Sequence, residues 1–102
     1  MKRRYLALTI ESDERFGSGE FMDAVWAAVS RLYGEYGASR AGLSLIDYDE
    51  EKKFAIIRTF HTALGMVRTA LASITKVGNR PAAVHVLAVS GTLKALHHKV
   101  KE

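Results

Sequence analysis

The first apolar pattern is an alternation. In Arg4-Tyr5-Leu6-Ala7-Leu8-Thr9-Ile10, the side chains of Leu6, Leu8 and Ile10 share one face, which predicts a strand. Glu11 to Gly19 is polar and contains glycine, which predicts a loop. The period then changes to that of a helix. Phe21, Val25, Val29 and Leu32 recur at helical spacing, flanked by Met22, Trp26 and Tyr33. Ser18 is the expected cap, Glu20 and Asp23 suit the first turns, and Gly34 and Gly37 stop the helix near Tyr36. Ala41 to Tyr48 and Lys53 to Thr59 read as a hairpin around Asp49-Glu50-Glu51-Lys52. Leu64, Val67, Leu71 and Ile74 predict a second helix from about Thr62 to Lys76, ended by Gly78-Asn79-Arg80-Pro81. Ala83 to Ser90 reads as the last strand, and Gly91 to about Lys99 as a short terminal helix.

The order β-α-β-β-α-β, with right-handed crossovers, gives an α+β sandwich of the ferredoxin-like kind, the topology of RNA-recognition domains. It predicts a four-stranded antiparallel sheet with two helices on one face, as a single domain over residues 1–102. Leu6, Leu8, Ile10, Leu43, Leu45, Ala55, Ile57, Leu87 and Val89 are the expected core under the helices. The other parity includes Tyr5, Ile46, Phe54, Ile56 and Val86, and is too apolar for a solvated face. The C-terminal helix, a protein partner or stacked bases would each cover it. Aliphatic side chains favour a helix or protein cover, which makes those five residues the expected protein interface.

Composition narrows the class. With 102 residues there is room for one modest core, and with no Cys there is neither a disulfide framework nor a thiolate metal site. No apolar run is long enough for a membrane span, and the run behind Lys2-Arg3-Arg4 is too short for a secretory signal, so a cytoplasmic location is expected. The net charge of +4 hides an asymmetry: residues 1–51 hold six basic and ten acidic side chains, and residues 52–102 hold nine basic and one acidic. Halves of −4 and +8 point to a polyanionic partner.

Candidate chemistry is sparse. Gly17-Ser18-Gly19 lacks the third glycine of a dinucleotide loop and is ringed by acids, so it reads as a capped turn. The four histidines form no metal-binding pair, and Asp47, Asp49, Glu50 and Glu51 read as a charged turn. No nucleophile stands beside a base, so no catalytic residue, metal ligand or cofactor is assigned to this chain. The basic half supplies an anion site instead. Ser90-Gly91-Thr92, with Lys94, leads from a strand into a helix and suits a phosphate. Arg58 would be an uncompensated charge on an apolar face, and Arg68, Lys76 and Arg80 extend the basic character along the second helix and its exit. These eight residues are the expected polyanion-binding set, and the expected RNA-binding set where that polyanion is RNA. Two other readings suit the same topology: a small acylphosphatase-like hydrolase, and a ligand-sensing regulatory domain.

Several segments carry a resemblance. Arg4 to Leu8, Tyr33-Gly34-Glu35-Tyr36-Gly37, Ile56-Ile57-Arg58-Thr59, the Leu64 to Val77 helix and Val86 to Lys94, in that order, resemble the ribonuclease P protein component 2 family. The resemblance implies a subunit that supports a catalytic RNA in removing 5′ leaders from precursor tRNA. It implies further partners: the ribonuclease P RNA, protein component 3 and other ribonuclease P proteins, in a dimer or heterotetramer. The Mg²⁺ and the hydrolytic chemistry would belong to the RNA.

Overall fold

In chain order the elements are β1 (Arg3–Glu11), α1 (Ser18–Arg40), β2 (Ser44–Asp49), β3 (Phe54–Phe60) and a 3₁₀ turn (His61–Ala63). Then follow α2 (Leu64–Ala72), β4 (Lys76–Val77), β5 (Arg80–Pro81), β6 (Ala83–Ser90) and α3 (Leu93–Val100). This computed structural model describes residues 2–100; Met1, Lys101 and Glu102 of the expected domain lie outside that range. β1 pairs antiparallel with β3 on one side and β6 on the other, and β2 pairs with β3. The sheet order is therefore β2-β3-β1-β6, the ferredoxin-like arrangement that the alternation of periods predicts.

The core lies between the sheet and α1 and α2. Leu6, Leu8, Ile10, Ala55 and Ile57 meet Phe21, Val25, Val29, Val67 and Leu71 there. Thr59 is also buried, because its hydroxyl donates to the Ala41 carbonyl at 2.6 Å, which accepts the Phe60 N–H as well.

Helix boundaries depart from the expected ones for local reasons. Gly17, not Ser18, is the N-cap of α1: its carbonyl accepts the Phe21 N–H at 3.1 Å and its N–H donates to Glu20 at 3.4 Å. The helix passes Tyr36 and ends at Arg40, broken at Gly34 (φ 76°, ψ 170°), a backbone conformation that a side chain would strain. α2 stops at Ala72, where the Ser73 hydroxyl turns back to the Ala70 carbonyl at 2.7 Å. Lys76 is therefore off the helix. It lies in a β4–β5 hairpin whose two turn residues, Gly78 and Asn79, both have positive φ.

Two irregularities in the sheet decide which side chains face which way. Ala7 pairs with Ala88 and Leu8 with Val86, so Leu87 has no partner on β1 and forms a bulge. Beyond it the faces exchange. Val84 and Val86 join the helix-side core, while Leu87 is 54% exposed. The expected core position of Leu87 and the partner-facing position of Val86 are both corrected by that one extra residue. A second irregularity, between Leu45 and Asp47, leaves Ile46 unpaired on β2.

The far face is covered by α3. Leu96 is fully buried against Ala7 and Ile56, and the Lys99 ammonium donates to the Val89 carbonyl at 2.7 Å. Ile56, 1% exposed, is thus the floor of a second small core and not an open partner surface. Tyr5, Ile46 and Phe54 ring that core, half-buried.

Candidate nucleic-acid interface

One row of residues crosses all four strands. In register, Ser44 on β2 stands opposite Arg58 on β3, Arg58 opposite Tyr5 on β1, and Tyr5 opposite Ser90 on β6. Just beyond this row, Arg4 pairs with Thr59 and Arg3 with Phe60. The His61 N–H donates to the Lys2 carbonyl, which holds the N-terminal residues against the end of β3. On the other side β6 ends at Ser90, and Arg4 lies against Gly91: a Cβ there would sit 3.6 Å from the guanidinium Nη1. Thr92 caps α3, its hydroxyl accepting the Ala95 N–H at 3.2 Å and its carbonyl the Leu96 N–H. Ser90, nearly buried, accepts the Thr92 N–H at 3.5 Å.

Antiparallel pairing sorts the charges by end. Arg3, Arg4 and Arg58 gather at the start of β1, with Lys94 in the first turn of α3. Glu11, Asp49, Glu50 and Glu51 lie at the opposite end, around the close of β1 and the β2–β3 turn. Among the described residues, no carboxylate comes within 4.0 Å of Arg3, Arg4, Arg58 or Lys94. Four cations without acids make a surface that attracts phosphates.

The expected RNA-binding residues therefore divide. Arg58, Ser90, Gly91, Thr92 and Lys94 come together at the basic end. Arg68 is exposed on the flank of α2, beside His85 and Val86 of β6. Lys76 lies in the hairpin, beside a groove lined by Asp23 and Arg31. Arg80 is spent internally. Its Nη2 donates to both Glu20 oxygens at 2.9 Å, its Nη1 reaches Glu14 at 3.5 Å, and its guanidinium stacks 4.5 Å from the Phe16 ring centre. The hairpin approaches so closely that a Cβ on Gly78 would meet Glu20 Oε2 at 2.5 Å. Arg80, expected among the RNA contacts, is thus engaged as a latch between hairpin and α1. The acids around the Gly17 loop, which look unfavourable for phosphate, hold this latch.

Arg3 and Arg4 were missed by pattern reading, because they are counted in the acidic half. The available signal was pairing: the start of β1 must lie beside the end of an antiparallel β3, where Arg58 sits. The acidic turn is internally bonded, Asp49 accepting the Lys52 N–H at 3.0 Å. No group of three or more His, Asp or Glu side chains able to hold a metal occurs among the described residues. Tyr48 donates to the Phe16 carbonyl at 2.6 Å, and burial, then Glu50 and Glu20, push its phenol pKa up.

The class is a small ferredoxin-like domain with one arginine-rich end, where no carboxylate among the described residues lies within 4.0 Å of the arginines. The comparisons identify the family. The profile of the Rpp14/Pop5 family matches residues 4–101, and the chain belongs to that family. Ribonuclease P protein component 2 of Pyrococcus furiosus is 35% identical over 98 residues, spanning 96% of this chain and 82% of that protein. Ribonuclease P protein component 2 of Methanosarcina acetivorans is also 35% identical, over 96% of this chain and 73% of that protein. Among solved structures, a chain in the cryo-EM structure of yeast Ribonuclease MRP matches with TM-score 0.76 at 17% identity, covering 98% of this chain and 92% of that one. That likeness concerns the fold.

Proposed function

We propose that this chain, as a protein subunit of ribonuclease P, holds RNA through the basic end of its sheet. The subunit assignment rests on family membership and on relatives named ribonuclease P protein component 2 at 31–35% identity. The RNA contact rests on one observation: Arg3, Arg4 and Arg58 share one end of the sheet with no carboxylate among the described residues within 4.0 Å of them. Each cation brought to a phosphate releases condensed counterions, so the protein lowers the ionic strength and the Mg²⁺ that a folded RNA needs. Partners of this reading are the ribonuclease P RNA and other ribonuclease P subunits, component 3 among them, with precursor tRNA as the substrate of the assembly. Chemistry stays with the RNA; the chain contributes binding and charge.

Reconstitution tests this. Adding the protein to the ribonuclease P RNA and the remaining protein subunits is expected to raise precursor tRNA cleavage at limiting Mg²⁺. No stimulation at any Mg²⁺ concentration would overturn the reading.

A further inference from the structure

The described chain leaves four large apolar side chains exposed, and three of them, Leu32, Tyr33 and Tyr36, fall within one turn and a half of α1. The break at Gly34 lies among them. It turns the last stretch of α1 so that Tyr36, 72% exposed, stands over a cleft of about 460 Å³. Gly37, Phe60, Ala63 and Met66 line the cleft. Arg40 closes one side: its guanidinium lies 5.2 Å from the Tyr36 ring centre and donates to the Tyr36 hydroxyl at 2.5 Å. No carboxylate among the described residues lies within 4.0 Å of Arg40.

We propose that this cleft is a docking site for a partner protein segment that inserts an apolar side chain and places a carboxylate on Arg40. Three observations carry it. Tyr, Met and Arg are the residue types enriched where proteins bind one another. The floor offers a thioether, a phenyl ring and an alanine, which suit an aliphatic or aromatic anchor and give a nucleobase edge little to bond. The one charge at the mouth is an uncompensated cation, so the complementary group is an anion next to the anchor. None of Arg3, Arg4 or Arg58 lines the cleft, although Phe60 is the cross-strand partner of Arg3 and the cleft therefore borders the basic end; the nucleotide probe below separates the two readings.

The test is a titration of the intact isotope-labelled protein, followed by amide chemical shifts. The probes are N-acetyl-leucyl-glutamate amide, its glutamine counterpart and adenosine 5′-monophosphate. The glutamate dipeptide is expected to shift Gly37, Thr62, Ala63 and Met66 saturably in the millimolar range, at about 10 mM or below. The glutamine dipeptide should bind about 3- to 10-fold more weakly, as a lost charge-assisted contact implies. Tyr36→Ala and Arg40→Gln should abolish the glutamate preference while leaving the rest of the spectrum intact. The proposal is overturned if the nucleotide, and not the dipeptide, moves these amides. It is equally overturned if they move on concentrating the protein alone, which would show a second copy in the cleft, or if no probe moves them.

Discussion

Tyr5 of β1 lies directly opposite Arg58 of β3. One residue thus links both halves of the far sheet face. On one side Tyr5 packs against the small core that α3 closes, and on the other it flanks a cation that no carboxylate among the described residues approaches within 4.0 Å. The basic end is therefore carried on paired strands, and α3 covers the apolar surface beside it.

Covering that face has a stability consequence. Leu96 is fully buried on Ala7 and Ile56, so Leu96→Ala is expected to lower stability by about 2–3 kcal/mol, the range for a buried leucine at an edge that can partly relax. Hydrogen exchange should accelerate chiefly in α3, while amides of β1 and β3 stay protected. Unchanged exchange in α3 would show that Leu96 does not anchor the helix.

Much of this was legible in the sequence. Strand alternation and helical stripes predict the βαββαβ order, because Leu6, Leu8 and Ile10 or Phe21, Val25 and Val29 fill one face at one period. The errors come from single extra residues and from pairings that no local pattern carries. Leu87 is an apolar residue at an apolar parity, and only the register with β1 turns it outward. Arg80 reads as one more cation in a basic half. Its partners Glu14 and Glu20 are 66 and 60 residues away in sequence, so the latch appears only after folding. Arg3 and Arg4 are the converse case, joined to Arg58 by strand pairing rather than by sequence.

The latch predicts a division of labour between arginines. Arg80 is about one-third exposed, so its pairs with Glu20 and Glu14 and its stacking on Phe16 together contribute about 1 kcal/mol. Arg80→Ala is expected to lower Tm by about 5 °C, as that loss implies for a domain of this size. Glu20→Ala should lower Tm similarly, and the double variant should lose less than the sum of the two. Strict additivity would show that the pair is not coupled.

Tyr48 gives the fold an alkaline limit. Burial is the main cause of its raised pKa, with Glu50 and Glu20 adding to it, so the folded state holds the phenol proton more tightly than the unfolded chain does. That stabilisation is present below the unfolded value of 10.0 and is lost as pH rises through the folded one. Tyr48→Phe loses the hydrogen bond to Phe16 at neutral pH, but its stability should fall less steeply above pH 10 than that of the parent. Denaturant midpoints measured from pH 8 to 11 check the difference, and parallel curves would contradict it.

The most direct test of the basic end is the salt dependence of binding to the ribonuclease P RNA. Replacing Arg3, Arg4 and Arg58 together by alanine is expected to lower affinity and to reduce the slope of log K against log salt by about 2–3, close to one per phosphate contact. Arg80→Ala, which removes an internal latch, should leave that slope unchanged. A slope that is the same in the parent and in the triple variant would show that these three arginines do not meet RNA phosphates.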